Sequence, residues 1–158
     1  MAVGDAPVAV THTWPLLQAA RVAGTAQLGQ AETTRLLAQL DHVLDGLAAA
    51  LKVEYFGPEV GVGDGRAVYR LVVREHALGP AERQWGLRIC TALPHAQWRA
   101  DWALAASGRQ RRAAIVAALP AFFVGYWQAV QQAGRAESRA GRRLYELALS
   151  FGLEQPCP

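Results

Sequence analysis

Four arginines have the residue type and spacing to hold an anion or a phosphate backbone. Alternation along the strand-like segment "RAVYRLVVREH" places Arg66, Arg70 and Arg74 on one face, and Arg88 falls on the same face of the next predicted strand. The planar guanidinium group suits phosphate and carboxylate ligands. Two other interpretations stay open: a solvent-exposed sheet face partly neutralised by acidic residues, or an interface between copies of the chain.

A second basic group opens a predicted helix. Arg109, Arg111 and Arg112 occur within four residues at its start, where the helix dipole is already positive. Three arginines oppose helix stability there, so this end of the helix is either an anion site or a solvated charge run. The candidate residues for binding an anion or a partner are Arg66, Arg70, Arg74, Arg88, Arg99, Arg109, Arg111 and Arg112.

Tryptophans supply the other candidate contacts. Trp98 and Trp102 flank Arg99 and Asp101 in a segment whose pattern fits either a strand or a helix, and Trp127 lies in the long apolar helix. Such side chains stack on ligands or bases, but in strands and helices they more often belong to the core. Trp98, Trp102 and Trp127 are therefore candidate aromatic contacts.

The sequence predicts no catalytic residue, metal site or cofactor. The four histidines are scattered without a ligand-like pair, and His76 is expected at the surface. Cys90 has no sequence neighbour that would activate its thiol. An enzyme is accordingly the less favoured class.

Composition indicates one globular domain over residues 1–158, with flexible tails at 1–12 and 153–158. Of the 158 residues, 52% are hydrophobic and 18% charged, which is too apolar for disorder and sufficient for a core. The first residues lack the pattern of a secretory signal, so we expect a cytoplasmic protein. The uncharged stretch from Ala113 to Gly134 is interpreted as an amphipathic helix with a buried face and not as a membrane span.

Apolar spacing predicts helices at both ends of the chain. A short helix is expected in "THTWPLLQAARVAG" and a longer one in "QAETTRLLAQLDHVLDGLAAALK", where leucines recur every three or four residues and Asp41 and Asp45 fall largely away from them. Ser107 is expected to cap the uncharged helix, which Pro120 should kink or break. A last helix is expected in "RRLYELALSF".

Between these helices the period changes to two, which is typical of strands. "VEYFG", "RAVYRLVVREH", "QWGLRICTAL" and the segment around Trp98 to Leu104 are expected to form an antiparallel meander of four strands, with turns at Asp64-Gly65 and "GPAER". The predicted fold class is α+β, with the four-stranded meander packed on N-terminal and C-terminal helices as a two-layer sandwich.

Three functions follow as hypotheses. The first is a non-catalytic binding or assembly protein that associates with itself, as a dimer or larger oligomer, or with a protein partner, through the sheet or the aromatic-rich helix. The second is a nucleic-acid or polyanion-binding module that uses the arginine-rich sheet face, and its signature is an affinity that falls steeply with salt. The third is a small anionic ligand site between the sheet and the helices.

Overall fold

The computed structural model describes residues 30–63, 67–92, 99–102 and 108–151, with the backbone alone at 62–63, 67, 92 and 99–102. In these residues an antiparallel sheet is combined with helices, so the α+β prediction is confirmed. The elements are α1 (Gln30–Leu51), β1 (Tyr55–Gly63), β2 (Ala67–Ala77), β3 (Arg83–Ala92), a short β4 (Arg99–Trp102), α2 (Arg109–Gln132) and α3 (Arg139–Ser150). The predicted first helix and both predicted tails lie outside the described residues.

Helix α1 buries the leucine stripe that its sequence predicts. It ends where Lys52 adopts a left-handed backbone conformation (φ 52°) and donates its N–H to the Ala48 carbonyl at 2.8 Å. A left-handed residue cannot continue an α-helix, so the chain turns there into β1. The buried leucines of α1 are Leu36, Leu37, Leu40, Leu44, Leu47 and Leu51.

The strands are hydrogen-bonded in the order β1-β2-β3-β4, and every neighbouring pair is antiparallel. The β2–β3 hairpin pairs without interruption from Val68↔Ala92 to Ala77↔Arg83, and the N–H of Leu78 donates to the Glu82 carbonyl at 2.8 Å across the turn that "GPAER" predicts. The predicted Asp64-Gly65 turn lies outside the described residues.

Strand β1 is irregular, with two register shifts between Phe56 and Val62. Pro58 cannot donate to a ladder, and Gly57 approaches β2 so closely that a Cβ there would lie 2.7 Å from the Leu71 carbonyl oxygen. Bulges and proline on the outermost strand discourage pairing with a foreign strand. The sheet edge at β1 is therefore a poor docking site.

One face of the sheet carries the core. Leu71, Val73, Leu87 and Ile89 are fully buried there with side chains of α1 and α2. Helix α2 covers this core through Ile115, Leu119, Phe122, Phe123, Tyr126 and Val130, all fully buried.

The two C-terminal helices begin differently from expectation. The N-cap of α2 is Gly108, and Ser107, which was predicted to cap this helix, lies outside the described residues. Helix α2 runs unbroken through Pro120 and ends before Gly134, whose φ of 70° suits glycine. Helix α3 begins at Arg139, ahead of the predicted start, because the Ser138 hydroxyl accepts the Gly141 N–H at 3.0 Å.

Candidate functional site

The strand register places three of the predicted arginines on the sheet face opposite the core. Arg70 pairs with Cys90, and Arg74 with Gly86; Arg88 lies opposite Val72, between them. Paired residues of an antiparallel sheet point to the same side, so Arg70, Arg74 and Arg88 form one group, which we call the arginine face. Arg66 lies outside the described residues, and of Arg99 only the backbone, in β4, is described.

Arg70 is paired with an acid on the neighbouring strand. Its guanidinium lies 2.8 Å from the Glu59 carboxylate and donates to the Gly57 carbonyl at 3.4 Å. The two side chains are 35% and 51% exposed, so water screens this pair and it contributes little stability. It does neutralise the charge of Arg70.

Arg88 forms the more buried pair, with Asp45 of α1. One guanidinium nitrogen lies 2.8 Å from Asp45 Oδ1 and the other 3.3 Å from Oδ2, and the two side chains are only 15% and 19% exposed. Gln84 also donates to Asp45 at 3.2 Å. This carboxylate therefore ties α1 to β3 across the sheet edge.

Gly86 makes room for the Asp45 carboxylate. A Cβ at Gly86 would lie 2.1 Å from Asp45 Oδ1, closer than any real contact. The expectation that Asp41 and Asp45 point away from the packed side of α1 is wrong, since Asp41 is buried and Asp45 is mostly so. The reason is that β3 offers a guanidinium partner for Asp45, which helical periodicity alone does not reveal.

His76 lies on the arginine face and is buried, with 3% of its surface exposed, so the prediction of a surface histidine is wrong. Its Nε2–H donates to the Gly86 carbonyl at 3.1 Å, and its Nδ1 has no hydrogen-bond partner among the described residues. Burial, and then the positive charges of Arg74 and Arg88, lower the pKa of His76 below its usual value. The imidazole is therefore neutral at pH 7.

Two of the three arginines at the start of α2 make contacts within the chain. The Arg111 guanidinium lies 3.8 Å from the centre of the Tyr69 ring, a cation–π contact. Arg112 donates to the Thr34 hydroxyl and, at 3.5 Å, to the Gln30 carbonyl of α1. Arg109 is exposed. The basic start of α2 thus serves mainly to hold α1 and β2 against this helix.

The tryptophan candidates are only partly placed. Trp127 is half-buried against the core, and its ring centre lies 5.0 Å from that of Tyr145 on α3. Trp98 lies outside the described residues, and Trp102 is described only as backbone in β4. Within the described ranges no group of three histidine, cysteine or acidic side chains could hold a metal ion.

Helix α2 has residues that stay exposed beside the described parts of the chain. No charged residue occurs from Ala113 to Gly134, yet only 39% of the most apolar eighteen-residue stretch of α2 is buried. Among the described helices α2 is the one long and apolar enough to cross a membrane. Apart from Arg109 at its start, its exposed residues recur at helical spacing and define what we call the α2 outer face: Gln110, Ala117, Ala121, Gln128, Gln131 and Gln132.

A comparison of the chain with protein-family models, with curated proteins and with solved structures finds no match.

Proposed function

We propose that this chain is a non-catalytic assembly protein that associates through the α2 outer face, first with a second copy of itself and alternatively with a protein partner. The observation that carries this proposal is that 39% of the most apolar stretch of α2 is buried, while Ala117, Ala121 and Gln128 of its uncharged part are exposed. In the same proposal the protein is cytoplasmic and its fold is a two-layer sandwich, with a four-stranded meander under the helices.

The composition of the α2 outer face supports association in water. A helix that packs on a core normally carries charged residues on its outward side, and α3 does so with Arg142, Arg143 and Glu146. Helix α2 instead exposes Ala117 and Ala121 between glutamines. An uncharged patch with a polar rim is typical of a protein interface.

The inward side of α2 argues against a membrane span as the reason for its apolar character. Phe122, Phe123 and Tyr126 are fully buried and pack among themselves, and Phe122 and Tyr126 also contact the Tyr55 ring of β1. A helix in a bilayer would have to leave these contacts and expose the core of the sheet. A helix that packs on the core with one side and docks on another protein with the other accounts for both the buried aromatic residues and the uncharged outer face of α2.

The arginine face is a weaker basis for nucleic-acid binding. Glu59 and Asp45 already neutralise Arg70 and Arg88, and the Asp45 pair is largely shielded from solvent. Phosphate binding needs guanidinium groups that are free to neutralise phosphates, which releases the counterions condensed on the nucleic acid. The small-ligand alternative has less support, because leucine, valine and phenylalanine side chains fill the described layer between sheet and helices.

Light scattering after gel filtration, at low and high salt and with or without a mixed-sequence oligonucleotide, separates these functions. The proposal expects a particle of at least twice the chain mass that persists at high salt, because burial of uncharged surface is not screened. A monomer that forms a salt-sensitive complex with the oligonucleotide would contradict the proposal and favour the arginine face. Arg70→Ala should then weaken that complex.

A further inference from the structure

Four exposed arginines lie where the chain turns from α2 into α3, and we call them the α3 basic patch: Arg135, Arg139, Arg142 and Arg143. Among the described residues no carboxylate lies within ion-pair distance of any of them. The one side-chain hydrogen bond they make there runs from Arg142 Nε to the Glu137 carbonyl at 3.1 Å. We propose that the α3 basic patch binds the phosphate backbone of a nucleic acid. This second surface is independent of assembly through α2.

Arginines elsewhere in the fold have partners within the chain. Arg70, Arg83 and Arg88 each pair with a carboxylate, at 2.8, 3.8 and 2.8 Å. At the start of α2, Arg111 lies over an aromatic ring and Arg112 donates to α1. The fold therefore uses those guanidinium groups for its own contacts, whereas the α3 basic patch presents them to solvent.

Helical spacing places three members of the patch on the outward side of α3. Arg139, Arg142 and Arg143 lie one turn apart, and Leu144 and Leu147 are buried on the opposite side. Side chains three or four residues apart on a helix have Cβ atoms about 5 to 6 Å from each other. Duplex DNA carries one negative charge for about every 1.7 Å of its axis. Guanidinium groups at this spacing can therefore contact more than one phosphate of the same nucleic acid.

The patch does not stabilise α3 itself. Arg139 is the first residue of this helix, where the helix dipole is already positive. It also has like charges three and four residues further on, and such pairs destabilise a helix. Glu137 and Glu146 lie nearby, so four arginines against two glutamates leave a net charge of +2. A bound polyanion would offset a repulsion that the described part of the fold leaves uncompensated.

The surroundings of the patch favour a nucleic acid over a lipid surface. A helix that binds a bilayer surface inserts its apolar side, and the apolar side of α3 is buried in the core. Gly134 and Ser138, which are exposed between the arginines, have no apolar side chain to insert. Arginine itself suits phosphate, because its planar fork of donors can bind two phosphate oxygens at once.

Fluorescence anisotropy with a labelled mixed-sequence DNA duplex tests this site. The site variant carries Arg139→Gln and Arg143→Gln, and the matched control carries Arg35→Gln and Arg109→Gln. All four arginines are exposed, and each variant loses two positive charges. Arg109 lies at the other end of α2, about 35 Å along the helix from the turn into α3.

The site variant should bind the duplex about tenfold more weakly than the parent at low salt, and the control should stay within about twofold of the parent. The slope of log affinity against log salt should become shallower by about 2 in the site variant, because each phosphate contact contributes about 0.9. Arg70→Ala, on the arginine face, should leave the affinity unchanged.

Several outcomes would overturn the site. Equal losses in both variants would mean that net charge alone attracts the duplex, and a larger loss in the control would place the contact at the start of α2. A parent that binds vesicles containing phosphatidylserine but not the duplex would also overturn it, as would a parent that binds neither. A monomeric parent that shows the expected losses would contradict the proposed function and leave this site intact.

Thermal melting of the site variant separates binding from folding. Removal of Arg139 and Arg143 relieves like-charge repulsion and the conflict with the helix dipole, so the melting temperature should be equal to or higher than that of the parent. A lower melting temperature together with weaker binding would assign these arginines to the fold and overturn the proposed site.

Discussion

Replacing Asp45 with alanine should destabilise the protein far more than a surface ion pair would. The change leaves the Arg88 guanidinium, whose side chain is 15% exposed, without its carboxylate. Breaking a fully buried pair costs about 3 to 5 kcal/mol, and an exposed pair contributes about 1 kcal/mol or less. Two hydrogen bonds and partial exposure place this pair between the limits, and we expect the free energy of unfolding to fall by about 2 to 3 kcal/mol.

Urea unfolding followed by circular dichroism measures this loss, and thermal melting should show a decrease of about 5 to 10 °C for a chain of this size. The matched control is Glu75→Ala. Glu75 lies 3.8 Å from Arg83, and these side chains are 42% and 73% exposed, so the expected loss is below about 0.5 kcal/mol.

A double-mutant cycle isolates the interaction itself. Asp45→Ala and Arg88→Ala should each be costly alone, and the double variant should recover part of the loss because neither charge is then left unpaired. Equal, small effects for Asp45→Ala and Glu75→Ala would refute the argument. In that case Arg88 would be available to bind a phosphate, and the nucleic-acid alternative would gain support.

Other predictions concern two glycines and one histidine. Gly46→Ala should raise the free energy of unfolding by about 0.5 to 1 kcal/mol, because nothing lies within 4 Å of the new methyl group on α1. Gly141→Ala should lower the free energy of unfolding in the same urea titration, because the Cβ of the new alanine would lie 2.3 Å from the Arg135 carbonyl oxygen. If both variants were stabilised, the packing at the start of α3 would be contradicted. His76 should make the free energy of unfolding fall as the pH drops below about 6.5. The pKa of His76 is lowered in the folded protein, so in this range the unfolded chain binds a proton that the folded chain does not. His76→Gln should flatten that fall between about pH 7 and pH 5, and an unchanged pH profile would show that His76 does not titrate on unfolding.

Local patterns predicted much of the fold. The leucine spacing identified α1, and alternation along "RAVYRLVVREH" placed Arg70 and Arg74 on the face opposite Leu71 and Val73, where the register has them. These features depend only on the side-chain period of a helix or a strand. They are therefore present in the sequence before any long-range contact forms.

The errors arose where distant segments meet. Helical spacing puts Asp45 largely away from the apolar stripe and does not show that β3 supplies Arg88 as its partner, forty-three residues away. His76 has polar neighbours in sequence, and its burial follows from packing over the sheet that no local pattern encodes. The sequence named the aromatic-rich helix as one possible contact surface, but its period alone did not show which of its residues stay exposed beside the described parts of the fold.

The most direct test of assembly through α2 is the solution mass of three proteins at high salt: the parent chain, Ala121→Arg and Ala49→Arg. Both alanines are exposed on helices, and Ala49 lies on α1, away from the α2 outer face. We expect the parent and Ala49→Arg to form dimers of about twice the 17.0 kDa chain mass, and Ala121→Arg to be a folded monomer. A monomeric parent, or a dimer that Ala121→Arg leaves intact, would contradict the account.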